Sequence, residues 1–238
     1  NMKVEKGEND MIEMINVQKT YPNGVSAVKG LNVKIKSGEF VYVVGPSGAG
    51  KSTFIKMMYR EEKPTSGTIM INGRNIANIK NSKVPLLRRD IGVIFQDYKL
   101  LNNLTVYENV AFALEVTEER PQVIKQKVMD VLDLVGLKHK VRMIPTELSG
   151  GEQQRVAIAR SIVRSPKLVI ADEPTGNLDP ETSWEIMKIF EEINSLGTTV
   201  VMATHNKEIV NTLQHRVIAI ENGYIVRDEQ KGEYGYEL

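Results

Sequence analysis

Residues Gly45-Pro46-Ser47-Gly48-Ala49-Gly50-Lys51-Ser52 satisfy the spacing GxxxxGK[ST], directly after the apolar run 40–44 and ahead of a helix-like segment. No other feature of the chain limits its fold so sharply. A strand has to deliver such a loop, and its glycines have to let successive backbone amides curl around an anion. A helix has to begin at once, so that its unpaired amides and positive end face the same anion. The order strand, loop, helix therefore predicts an α/β protein with a nucleotide-phosphate site, whereas a glycine-rich turn with a lysine nearby needs neither neighbour. Lys51 is then placed for the β- and γ-phosphates, Ser52 for Mg²⁺ and Thr53 for the α-phosphate.

The flanking sequence supplies a sheet for this loop and two further layers. Segments 11–17, 30–35, 40–44 and 67–71 are short β-rich runs broken by Pro22-Asn23-Gly24, Ser37-Gly38 and Asn72-Gly73, which predicts an antiparallel layer. Segments 91–95, 168–171 and 199–203 are apolar strands separated by helical periods, the rhythm of a parallel sheet with crossover helices. Between the first two lies a mostly helical arm, about 97–148, where Ile124, Val128, Val131 and Val135 repeat at helical spacing and Gly136 supplies a stop. A last helix is expected from the cap Asp179 and Pro180 through Trp184, Met187 and Phe190 to Gly197. A hairpin follows from 216–220, Asn222-Gly223 and 224–226. This organisation predicts one domain over 11–232, with an extension 1–10 and a tail 233–238. Asn1 reads as a remnant ahead of a native start at Met2 or Met11.

In open α/β sheets, ligands bind outside the carboxyl ends of the strands, and four strand ends here carry chemistry. Asp172-Glu173 follow 168–171, so that Asp172 can hold Mg²⁺ through water and Glu173 can polarise an attacking water as general base. Gln96 follows 91–95 and can contact Mg²⁺ or that water, and His205 follows 199–204 and can donate to a γ-phosphate or orient Glu173. Each has a plainer account alone: an acidic pair at a strand end is a common turn, and a single histidine there is usually structural. Their convergence with the phosphate loop on one edge points to nucleotide hydrolysis.

A second glycine-rich helix start stands far along the chain. Leu148-Ser149-Gly150-Gly151-Glu152-Gln153-Gln154 holds the S-x-x-E of a capping box, which accounts for Ser149 and Glu152 by structure alone. Two successive glycines are not required by a cap, and they bare helix-terminal amides as a second anion site.

Composition removes other classes. The 31 basic and 30 acidic residues leave a net charge of +1, which argues against a nucleic-acid partner. The absence of cysteine excludes a disulfide framework and cysteine-ligated metals. No stretch approaches the roughly 18 apolar residues of a membrane span, and the charged opening 1–10 lacks the apolar core of a signal peptide.

LSGGEQQ at 148–154 resembles the signature sequence of ATP-binding-cassette proteins, and GPSGAGKST, Gln96, ADEPTGNLD and His205 match that family's other motifs in order. The likeness spans 11–228. It implies a P-loop NTPase with a RecA-like parallel core, an antiparallel β subdomain and a helical arm, hydrolysing Mg-ATP. It further implies a homodimer around two ATPs, in which Ser149, Gly150, Gly151 and Glu152 meet the other subunit's nucleotide and the segment Asn177-Leu178-Asp179 links the sites, although Asp179 also reads as a helix cap. Tyr21 matches the residue that stacks on adenine, or is a turn aromatic beside Pro22.

Segments 84–89, 95–101, 131–137 and 215–223, with the tail 232–236, are similar to the cell-division ATP-binding (FtsE) branch of Gram-positive type. That likeness implies a peripheral protein on the cytoplasmic face of the bacterial membrane at the division site. It would be partnered by the integral membrane protein FtsX and would regulate peptidoglycan hydrolysis. The alternative is the ATPase subunit of a lipoprotein-release or antimicrobial-peptide transporter. Tyr98, Leu100, Leu101, Val106 and Tyr107 are expected in a groove for a helix of the membrane partner, or as packing of the arm.

Overall fold

The computed structural model describes residues 10–116 and 119–235; most of the expected extension, 1–9, and the end of the tail, 236–238, lie outside them. Its centre is strand β3 (Phe40–Val44), whose five residues are all buried. Phe40, Tyr42 and Val44 enter one apolar cluster and Val41 and Val43 enter another. The period-two alternation of a strand thus serves two covered faces, which is why the run is uniformly apolar.

Around β3 lies a six-stranded sheet in the order β10-β9-β3-β8-β7-β6, formed by β6 (Ile91–Phe95), β7 (Leu168–Asp172), β8 (Thr199–Ala203), β9 (Arg216–Glu221) and β10 (Tyr224–Glu229). Five strands run parallel, β3 among them rather than in the antiparallel layer expected of 40–44, because a strand buried on both faces suits a covered parallel sheet; within this sheet only the β9/β10 hairpin is antiparallel. The parallel register pairs Phe95 with Asp172, Asp172 with Ala203, and Ala203 with Val43, so the residues that follow these strands emerge along one edge.

One face carries the helix α1 (Lys51–Met58) and a four-stranded antiparallel sheet of β1 (Asp10–Thr20), β2 (Ser26–Lys36), β4 (Ser66–Ile71) and β5 (Arg74–Asn75), in the order β2-β1-β4-β5. The other face is covered by α3 (Val106–Glu115), α4 (Pro121–Leu134), α5 (Gly150–Ile162) and α6 (Pro180–Ser195). Two short helices that the sequence reading did not anticipate complete the chain: α2 (Val84–Arg89) and α7 (Lys207–Leu213), so the helix starting at Pro180 is not the last. Along α4, Ile124, Val128, Leu132 and Val135 form the buried stripe, whereas Val131 is half-buried at its edge. The reason is angular: steps of four from Ile124 keep the side chains on the core line, and Leu132 takes the place expected for Val131. Among the described residues no helix is long and apolar enough to cross a membrane.

The β9 strand is fixed beside β3 by Arg216. Its guanidinium donates from Nε and Nη2 to the two carboxylate oxygens of Asp228 at 2.7 and 2.8 Å, and from Nη1 to Glu39 just ahead of β3 at 2.8 Å. Arg216 is buried, so truncation would strand two acids that have lost their partner. Arg216→Ala is expected to lower unfolding stability by on the order of 1–2 kcal/mol in chemical denaturation, because Asp228 stays open to water.

Candidate functional site

The loop 45–50 is shaped by its own chain at two points and open at a third. Gly45 lies at φ 145° and Gly50 at φ 109°. A Cβ on them would stand 2.0 Å from the Ile220 carbonyl oxygen and 2.4 Å from that of Ala27. At Gly48 nothing stands within 4 Å of that position, so this stretch of backbone is free to face a ligand. Lys51 folds back over the loop and donates to the carbonyl oxygens of Gly45 (2.8 Å) and Pro46 (3.0 Å). Helices α3, α5, α6 and α7 each receive a side-chain cap on their first turn, whereas α1, like α2 and α4, has none, and of these three only α1 follows the glycine-rich loop. Its leading amides are thus left for an anion. Tyr21 joins this region through its hydroxyl, 3.1 Å from the Thr53 hydroxyl.

Ser52, Gln96, Asp172 and Glu173 line one cleft of about 400 Å³, together with Lys56, Tyr59, Glu61, Phe95, Asp97, Lys99 and Asn177. Burial and then the neighbouring Glu173 push the Asp172 carboxyl above its ordinary range, offset in part by Lys56 and Lys51. A carboxylate in that position gains from a cation. Ser52, Gln96 and Asp172 are all oxygen donors, the set that suits Mg²⁺ held partly by phosphates. Among the described residues no group of three or more His, Cys, Asp or Glu forms a separate metal cluster.

Glu173 occupies the left-handed region at φ 52°. Its N–H donates to Ala203 O at 2.9 Å. One oxygen of its carboxylate lies 2.8 Å from His205 Nδ1 and accepts from the His205 backbone N–H at 3.2 Å. The side chain of Glu173 is largely covered while that of His205 is 63% exposed. The histidine can therefore turn toward a ligand while staying in reach of the acid. Gln96 is fixed from the side: its Nε2 donates to Asn177 Oδ1 at 3.0 Å, and Asn177 Nδ2 returns a bond to Gln96 O at 3.3 Å.

The second glycine-rich segment behaves differently. Ser149 caps α5, its Oγ accepting from Glu152 N–H and its own N–H donating to the Glu152 carboxylate, so the expected capping box is present. Lys140, bonded to Glu152, holds that carboxyl below its usual range. Gly151 is buried, and a Cβ there would stand 2.3 Å from Thr182 Cγ2. Thr182 in turn is held by Asp179, the N-cap of α6, through bonds of 3.0 and 2.6 Å. Asp179 thus does serve as a helix cap, and Gly151 has a packing reason of its own. None of Ser149, Gly150, Gly151 and Glu152 lines the cleft shared by Ser52 and Glu173, and Lys51 and His205 also lie outside its lining.

Sequence reasoning missed the residues that tie these parts together. Gln154 is fully buried and donates to Pro174 O at 2.8 Å, joining α5 to the turn after Glu173. Its signal was the spacing Gly151, Gln154, Ile158, which puts a polar amide on the buried face of the helix. Asn177 was read as part of a linking segment, without its pairing to Gln96.

The ABC transporter family matches the chain over residues 28–176. The chain is 71% identical to the cell division ATP-binding protein FtsE of Bacillus subtilis over 225 residues, covering 94% of this chain and 99% of that protein. To FtsE of Streptococcus pneumoniae it is 64% identical over 227 residues, 95% of this chain and 99% of the relative. Among solved structures it resembles the dimeric ATP-binding cassette MJ0796 in a post-hydrolysis state bound to ADP and Pi, with TM-score 0.85 and 34% identity over 95% of this chain and all of that one. The site predicts a separation of binding from turnover. Glu173→Gln is expected to lower ATP hydrolysis by about 10²–10⁴-fold while nucleotide affinity, followed by fluorescent-analogue titration, stays within a few-fold.

Proposed function

The chain belongs to the ABC transporter family of ATPases, as an FtsE-like member, and from that premise we propose that it works as a homodimer around two ATPs that drives a membrane partner of the FtsX type. The observation that carries this reading is the position of the signature. The start of α1 belongs to the phosphate loop, whereas Ser149 is exposed at the start of a different helix, α5, about a hundred residues further along the chain. A second copy placed head to tail gives that helix start a nucleotide to meet.

In this reading the loop amides, Lys51 and Thr53 hold the phosphates, and Tyr21 offers its ring to the adenine. Ser52, Gln96 and Asp172 would hold Mg²⁺, which neutralises charge on the β- and γ-phosphates when bound. Glu173 accepts the proton of the attacking water. His205 keeps that carboxylate aimed through the 2.8 Å contact and reaches the γ-phosphate with its exposed ring. ATP stabilises the closed dimer because its γ-phosphate touches both subunits; cleavage removes that differential affinity. The output is a conformational signal passed through FtsX, at the cytoplasmic face of the division site, to enzymes that cut peptidoglycan. The full-length similarity to cell-division relatives favours this over a lipoprotein or peptide transporter.

The contact for the membrane partner is narrower than the sequence reading made it. Val106 is fully buried, and Leu100 and Tyr107 pack on the core. Leu101 at 36%, Phe112 at 47% and Val116 at 47% remain exposed on the segment after Gln96 and along α3. These exposed apolar side chains are the candidates to seat an amphipathic helix. Two outcomes are expected. Purified Glu173→Gln should pass from monomer to dimer on adding Mg-ATP in analytical ultracentrifugation. Leu101→Ala with Phe112→Ala should reduce co-purification with FtsX at least severalfold while ATP binding persists; unchanged recovery would remove FtsX from the reading.

A further inference from the structure

Two of the residues just after Gln96 are held in a shape their side chains resist. Tyr98 and Lys99 stand at φ 57° and 48°, two successive side-chain-bearing residues in the left-handed region, where such residues seldom settle. Two neighbouring residues in the same helical-type conformation aim their carbonyls the same way. Both carbonyls are taken by one side chain: Arg160 on α5 donates from Nη1 to Lys99 O at 2.7 Å and from Nη2 to Tyr98 O at 3.0 Å. Burial lowers the pKa of this guanidinium, so its charge is answered by those two oxygens rather than by bulk water. The grip extends along the helix. The Tyr98 hydroxyl lies where a Cβ on Gly150 would be only 3.0 Å away, ten residues before Arg160, or roughly 15 Å along the axis. The segment's far end is fastened by buried Asn109, which accepts from Leu101 N–H at 2.9 Å and donates to Leu101 O at 3.0 Å.

We propose that Arg160 is a positioning residue, a strut that transmits the position of Gln96 in the cleft to the orientation of the signature helix. Gln96 at one end is registered on the cleft through Asn177. At the other end the left-handed turn is clamped to the helix whose first turn carries Ser149 and Gly150. A relaxed turn would absorb a shift of Gln96 within the segment. The clamped turn has no relaxed conformer within reach while both carbonyls remain bound, so the shift passes into α5. Lysine cannot replace the clamp fully, because one ammonium lacks the planar fork that spans two carbonyls. Without the clamp, nucleotide would still bind, but its arrival would no longer orient α5.

This inference rests on the proposal that α5 serves the other subunit's nucleotide. The test compares Glu173→Gln with Glu173→Gln/Arg160→Ala, and Arg160→Ala with the native chain. Arg160→Ala should leave monomer affinity for a fluorescent ATP analogue within about twofold and lower kcat at least tenfold with little change in KM. The double variant should need at least tenfold more protein to dimerise in Mg-ATP, and Arg160→Lys should recover part of kcat. A purely structural role would instead lower thermal stability and nucleotide affinity together, which would overturn the strut. Dimerisation and kcat unchanged by Arg160→Ala, with Glu173→Gln dimerising normally, would also overturn it while leaving the two-subunit reading intact. A Glu173→Gln protein that stays monomeric in Mg-ATP would overturn both. Should Arg160→Ala not fold, Arg160→Lys on both backgrounds carries the same comparison, with a smaller expected loss.

Discussion

The contact of Gly45 with the Ile220 carbonyl is the tightest constraint on the site, because the phosphate loop can leave β3 only where β9 lets it. β9 in turn is held parallel to β3 from Arg216 to Ala219, and β3 is flanked by β8 on its other side. With both neighbours hydrogen-bonded and both faces buried, the end of β3 has no freedom to shift by a residue: a slip of one would exchange the two apolar faces and drive a Cβ-bearing residue into the position that only glycine fits. The geometry of the loop is thus a consequence of sheet register. The same register carries Glu173 and His205 to adjacent strand ends, so acid and imidazole meet without any device of their own.

Legibility from sequence followed burial. Residues 40–44, 91–95 and 199–203 could be delimited to the residue because they are short apolar runs covered on both faces and bounded by charged or turn residues. α7 escaped because only Ile209 and Val210 of its seven residues are buried, too few to show a period, although Asn206 in front of it is an ordinary cap. α2 escaped for the same reason, with Val84 and Leu87 as its buried residues and a proline in its first turn. At the site, the strand-end residues were readable since topology alone assembles them. The pairings Gln96–Asn177, Gln154–Pro174 and Arg160–Tyr98 join residues 81, 20 and 62 positions apart, and no local period or cap records them.

The signature glycines show how one residue can answer two demands. Gly151 lets α5 approach Thr182, and Gly150 leaves room for the Tyr98 hydroxyl. Both are intrachain packing requirements. A glycine explained by packing is weaker evidence for a ligand, and so the weight of the two-subunit reading falls on Ser149, which is exposed at a helix start separate from that of the phosphate loop. The same packing has a further consequence: each contact that fills the space beside the glycines belongs to a segment leading to the cleft, Thr182 through Asp179 and Tyr98 through Gln96.

α5 is therefore gripped from three sides by residues of the nucleotide edge. Gln154 binds the turn after Glu173, Gly151 packs on the start of α6, and Arg160 holds the turn after Gln96. These contacts are hydrogen bonds and close van der Waals packing rather than exposed ion pairs, so they weaken steeply with small displacements and resist partial adjustment. A helix held in that way moves with the edge or breaks contact with it. Asp172 and Glu173, two acids side by side with one carboxyl pushed upward by burial, make that edge sensitive to the charge placed in it. In the proposed reading, phosphate, cation and helix position are coupled through these non-covalent contacts, and a change of one charge at the nucleotide would have a mechanical path to the surface of the subunit.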